Sequence, residues 1–284
     1  MANLKRAAAF ALSAAMFLQP MTASAVTWRS VVRAINNHSS GGQTTVNGDS
    51  PDENDIDILV DADGKVTITG KKTGGTITGG VMVGGAPSAP KLAEYIHGLI
   101  FKNVTIEESN DEGLGDYSVY VDVFGKNDIK EITFDADTTV QGNVMIHAFK
   151  DTQISNAGTM EKMLQVDALD GATVNNENTG TVVGEFRGSA QGEGSKMTLT
   201  NQGTVEDALG GFSLGEGATT TITNEGTAGK LLANALVGGK TEATNNNNVV
   251  GNMSGWSKGD GSSLTLTNTK NGASGMMSVE SYLK

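Results

Sequence analysis

Few residues in this chain are of a type and spacing that could do chemistry. The best carboxylate pair is in Phe134-Asp-Ala-Asp137. If that stretch is extended, Asp135 and Asp137 share one face about 6.5–7 Å apart, because a strand rises ~3.3 Å per residue. That separation is near the lower edge of what an inverting glycosidase needs. The plainer reading is two solvated acids at a strand end. His147, in Met145-Ile-His-Ala-Phe149, has the chemistry of a general base but also the position of an ordinary alternating strand residue. His38 and His97 have no acid or metal partner nearby in the sequence.

Metal binding rests on Glu193 and Glu216, which occupy the same place in a repeat, and on Asp260, which returns there two copies later. On adjacent coils such carboxylates would lie about 5 Å apart, repelling each other unless a cation bridges them. The alternative is a wet turn with flexible acids. Asp61-Ala-Asp63-Gly64 is similar to a calcium loop but fails the EF-hand spacing, since position one would be Leu59 and position twelve Gly70. No Gly-x-Ser-x-Gly, P-loop or His-Glu-x-x-His motif occurs. With no Cys in the chain, disulfides and Cys-ligated metals are excluded. The expectation is a protein with no catalytic centre, metal or cofactor.

The elements that would position these side chains follow from composition. Of 284 residues, 38 are Gly, 31 Thr and 23 Asn. All three are weak helix formers, so short strands joined by tight turns are expected. A net charge of −12 argues against nucleic acid, whose phosphates need cations. At the N-terminus, Lys5 and Arg6 precede an apolar run from Ala7 to Leu18 and then Ala23-Ser-Ala25. This is the order of a secretory signal peptide cleaved after Ala25, and the run is too short to span a bilayer. The mature chain is expected to start at Val26 and to be secreted, extracellular or at the cell surface. It would carry no transmembrane segment.

A repeat organises the second half. Gly192–Asn201, Gly215–Asn224 and Gly259–Asn268 share the pattern Gly-acid-Gly-small-x-x-Thr-apolar-Thr-Asn. Weaker copies end at Asn156, near Asn176 and at Asn245, giving about 22 residues per unit. Thr-Leu-Thr alternates with period two and is a strand signal. Asn tolerates the left-handed conformation of a sharp corner. A unit this short cannot hold a βαβ crossover, but it fits one coil of a three-stranded solenoid. Stacking would align Leu199, Ile222 and Leu266 inside. It would also bring Asn201, Asn224 and Asn268 to one corner, where neighbouring side-chain amides can exchange hydrogen bonds. Strand patterns at Val66–Thr69, Gly75–Thr78, Leu99–Ile106, Ser118–Phe124, Ile132–Phe134 and Val144–Ile146 extend the architecture into the first half. Residues 56–275 at this period make roughly ten coils. Thr27 can cap a helix through residue 36 whose Trp28, Val31, Val32 and Ile35 share one face. Such a helix would cover the open N-terminal end of the stack. Residues 276–284 remain as a tail, and end-to-end self-association stays open.

These residues resemble the right-handed parallel β-helix, or pectin-lyase-like, superfamily. Many members open with an amphipathic helix, a Gly-bearing turn, a first strand and a strand ending Ile-Thr-Gly. Here stand Val31-Val-Arg-Ala-Ile-Asn-Asn37, Gly41-Gly42, Thr44-Thr-Val46 and Val66-Thr-Ile-Thr-Gly70. The Thr-Leu-Thr-Asn-x-Gly-Thr units are similar to those of autotransporter passengers and related bacterial surface β-helices. The resemblance covers most of residues 27–275. It implies an all-β, right-handed parallel β-helix in a single domain from residue 26 to 284, acting as a non-catalytic adhesin or interaction protein. Its partner would be a host or microbial surface glycan or protein. Autotransporters end in a membrane barrel, whereas this chain ends at Lys284, so any anchor is expected elsewhere. The alternatives are a polysaccharide-active lyase or glycoside hydrolase and a truncated passenger. Against the enzyme, the Asn-Thr-Asp, Asp-Asp, Gly-His-Gly and Arg-Ile-Lys motifs of polygalacturonase-type members do not occur. The mature chain would hold only three Arg, at 29, 33 and 187.

Overall fold

The computed structural model describes residues 26–38, 41–47, 55–71, 74–84, 91–109, 116–123, 128–269 and 272–282. The expected signal peptide, residues 1–25, lies outside the described residues. The chain winds into an all-β parallel solenoid of about seven turns. Each turn passes through three strands, as in Thr152–Asn156, Thr159–Met160 and Leu164–Leu169. Stacking these triplets gives three faces. The first face is a sheet of its own, whereas the second and third join into a 16-stranded sheet. They join because Thr204–Leu214 and Thr227–Leu236 run through both.

Seven strands of the first face, from Glu131–Phe134 to Ser263–Asn268, follow one another in parallel register. Ile132, Ile154, Asn176, Leu199, Ile222, Ala243 and Leu266 align across them, each one repeat unit after the last. The repeat length read from sequence is therefore the length of a coil. The count of ten coils is not borne out: there are about seven. The first half spends its residues differently. Val66, Leu99 and Ile132 are aligned neighbours, yet the chain between them is much longer than the later repeat. Strands Gly42–Val46 and Ile56–Val60 join this sheet antiparallel, as a hairpin-like edge outside the parallel stack.

Alternation explains the core. Inward positions are apolar and fully buried, as at Leu199 and Ile222, with Phe101 stacked on Phe134 at 5.3 Å between ring centroids. Where two inward residues would collide across the coil, one is Gly. A Cβ at position 188 would meet the Leu199 side chain at 2.8 Å.

Helix Trp28–Asn36 contacts strands Val26–Thr27, Gly42–Val46 and Ile56–Val60 at the N-terminal end. Thr27 is its N-cap, accepting from the Ser30 backbone N–H at 3.3 Å. Trp28, Val31, Val32 and Ile35 are buried, and the Trp28 indole donates to the Met82 carbonyl at 2.7 Å. At the other end, Met277–Tyr282 continues the third face as a parallel partner of Met253–Lys258. Every residue of that last strand is exposed. Leu264 and Leu266 in the final coil are only partly covered.

Candidate functional site

The corner between the first and second faces carries an asparagine ladder. Side-chain amides donate to the next Oδ1 in sequence: Asn156 to Asn178, Asn178 to Asn201, Asn201 to Asn224, Asn224 to Asn245, all at 2.8 Å, and Asn245 to Asn268 at 2.9 Å. Asn156, Asn178, Asn201, Asn224 and Asn245 are buried. Asn268 is exposed and ends the ladder. The repeat places one rung near Asn176, but the rung is Asn178. Thr179-Gly180 follows it and makes the corner. Asn176 points into the core in the Ile154–Leu199 row, where neither amide atom has a hydrogen-bond partner.

The third face holds the polar constellation. Successive strands Tyr117–Val123, Asn143–Ala148, Leu164–Leu169 and Phe186–Gln191 pair in register. One outward row therefore reads Asp122, His147, Asp167, Ser189. It continues through Phe212, Asn234 and Trp256. His147 Nδ1 lies 2.9 Å from Asp122 Oδ1, and Nε2 lies 3.5 Å from Asp167 Oδ2. Ser189 Oγ donates to Asp167 Oδ1 at 2.6 Å, and Gln165 Nε2 donates to both oxygens at 3.2 and 3.3 Å. Gln191 donates to Ser189 in turn at 2.9 Å. The carboxylates are well sunk, with side-chain exposures of 11% for Asp122 and 6% for Asp167. The imidazole lies between the two sunken carboxylates, and Asp167 also takes the Ser189 and Gln165 donors, as buried polar groups require. Tyr120 stands edge-on to His147, its hydroxyl 3.3 Å from Nδ1. Burial first, and then the charge of Asp122, pushes its phenol pKa above the usual value.

Beside this row lies a cleft of about 210 Å³, lined by Gln165, Asp167, Arg187, Phe212, Leu232 and Asn234. The backbone of Gly188, Gly210 and Gly211 completes its lining. Its cause is a gap in the neighbouring outward row. Arg187, Gly210 and Leu232 align on three consecutive strands, and the middle one has no side chain. A second depression of about 300 Å³ lies against Trp256, Lys258 and Tyr282, further along the same face.

The other expected site residues do not join this constellation. Asp135 and Asp137 sit in the turn after Glu131–Phe134 rather than on an extended strand. Asp135 accepts from the Ala136 N–H and faces Lys102 at 3.9 Å. Glu193, Glu216 and Asp260 are exposed at turn tips. Gly238, which lies against Glu216, puts a bare glycine in the coil between Glu216 and Asp260. Among the described residues no cluster of three or more His, Asp or Glu is arranged to hold a metal. His147 is visible in the sequence, but its partners are not. The one signal for them is that Asp122, His147, Asp167 and Ser189 recur at intervals close to one coil each.

The chain matches no family model, no curated protein and no solved structure.

Proposed function

We propose that this chain is an exported, non-catalytic interaction protein of the pectin-lyase-like β-helix type, displayed in the manner of an autotransporter passenger. It presents its third face to an extended ligand. One observation carries the reading: a single outward row from Asp122 to Trp256 crosses seven strands and holds polar and aromatic side chains, the first four of which are tied to one another. At ~4.8 Å per strand the row is about 29 Å long. A surface fixed in this way binds without the entropic cost of ordering it.

The rival reading, polysaccharide cleavage, has less support. Two-carboxylate hydrolysis needs an acid on each side of the scissile bond, and the cleft is lined by one carboxylate, Asp167. Both nitrogens of His147 are turned to carboxylates rather than to the cleft. Incubation with uronans and neutral polysaccharides tests this directly. No unsaturated or reducing ends should appear. Release that vanishes in Asp167→Asn or His147→Gln would replace this function with a catalytic one.

A further inference from the structure

We infer that the cleft over Gly210 is a subsite for one sugar ring of a neutral glycan, and that the Trp256–Tyr282 depression takes a second ring of the same chain. The inference rests on the reading of the third face as a recognition surface.

The cleft's size, lining and rigidity all point to a sugar ring. The outward side chains of Arg187 and Leu232 stand two strands apart, about 10 Å, with bare backbone at Gly210 between them. At about 210 Å³ the space is below the range of drug-sized pockets and suits a single ring. A sugar ring has two apolar C–H faces and a rim of hydroxyls, each both donor and acceptor. The lining matches that pattern. Phe212 and Leu232 are apolar, Asp167 accepts, Arg187 donates, and Gln165 and Asn234 do both. Asp167 is already fixed by Ser189 and Gln165, so this wall of the cleft is set before a ring arrives.

Charge and backbone chemistry narrow the ligand further. The chain carries −12 overall, and the one cation of the cleft, Arg187, is tied through Nε to Glu185 at 2.5 Å. Both disfavour an acidic sugar. A peptide strand is disfavoured because peptide recognition by a sheet uses a free edge. This cleft opens on the middle of a sheet whose strands are paired on both sides. Along the axis, Gly210, Leu232 and Ser254 align. Trp256, two strands beyond Gly210, therefore lies about 10 Å further along, and Tyr282, on the third strand beyond, about 14 Å, with aromatic surface for a further apolar ring face.

The test uses the full chain and immobilised oligosaccharides of hexose and N-acetylhexosamine units, with uronate oligosaccharides and a purified extended peptide as comparison arms. The intact chain should be retained on neutral oligosaccharides, and free monosaccharide should compete. Gly210→Leu should weaken retention about tenfold or more at an unchanged unfolding midpoint. A Cβ at 210 finds only ordinary contacts, 3.5 and 3.6 Å to Leu232. Trp256→Ala should weaken binding of longer oligosaccharides but not of the monosaccharide. If Gly210→Leu lowers the midpoint, Gly210→Ala and Gln165→Ala take its place, with the same expected direction. Neutral-glycan binding that ignores all of these variants overturns the subsite and leaves the recognition surface standing. Retention only by uronate or peptide, or by nothing in the panel, overturns the ligand class. Release of reducing ends by the intact chain overturns the non-catalytic reading beneath it.

Discussion

The side-chain amide of Asn201 donates to Oδ1 of Asn224 at 2.8 Å, one coil away, at a corner where both residues are fully buried. The same amide also donates to the Thr227 carbonyl at 3.1 Å. Each rung thus satisfies a buried polar group of its neighbour and fixes the corner of the next coil.

Removing a middle rung should therefore cost more than removing the last. Asn224→Ala takes the acceptor from one N–H of Asn201, one of two donors from Asn245 Oδ1, and the donor from the Gly226 and Asn248 carbonyls, and a buried group left short of a partner costs ~1–3 kcal/mol. A loss of about 3 kcal/mol is expected in urea unfolding. Asn268→Ala, at the exposed end, should cost under about 1 kcal/mol. Equal losses at the two positions would mean that the rungs do not support one another.

Asn176 predicts the opposite sign. It is 1% exposed in a row between Ile154 and Leu199, with both amide atoms unpartnered. Asn176→Val places an apolar residue in an apolar row and should stabilise by about 2 kcal/mol, read as a higher unfolding midpoint. A lower midpoint would show that the amide is satisfied by bound water.

Val237 is a β-branched residue at φ +44°, 60% exposed. It lies against Gly259 of the next coil, itself at positive φ. The left-handed region costs an L-residue ~1–2 kcal/mol, so Val237→Gly should raise stability by about 1 kcal/mol after the added unfolded-state entropy is subtracted. Thermal unfolding reads the sign. Destabilisation would show that the valine makes a compensating contact.

Alkaline pH should weaken the fold through its tyrosines. Burial raises the phenol of Tyr95, and burial and then Asp122 raise that of Tyr120. A raised acid holds its proton longer in the folded state than in the unfolded state. Its contribution is therefore complete below the unfolded value, ~10. Above that pH the unfolded chain binds fewer protons, and stability falls as pH rises through the folded value. Denaturant titrations from pH 8 to 11 should show this decline. Tyr120→Phe should flatten it without changing the neutral-pH slope.

Much of the frame is legible from local pattern. Thr-Leu-Thr-Asn marks the strand, its inward residue and the corner, but the ladder asparagines end extended strands without positive φ and serve the corner through their side-chain amides, not through a left-handed backbone. Thr27 with the Trp28, Val31, Val32 and Ile35 stripe marks the helix. The first half is less legible because its coils are longer than the repeat and break the period that counting relies on. The third-face row is hidden for a different reason. Period-two alternation shows which way a side chain points but not which residue of the next coil lies beside it. His147 can be judged alone, whereas Asp122 and Asp167 become its neighbours only once the register is fixed. Asp135 and Asp137 do not share a strand face because a turn holds them. Nothing in Phe-Asp-Ala-Asp distinguishes the two.

The most direct measurement is a hydrogen-exchange footprint of the intact chain with and without a saturating neutral oligosaccharide. Added protection is expected in Phe186–Gln191, Thr204–Leu214, Thr227–Leu236 and Met253–Lys258, the strands that carry the Gly210 cleft and Trp256. The first-face strands should be unchanged. Protection centred on the Asn201–Asn224 corner or on the first face would contradict the third face as the recognition surface.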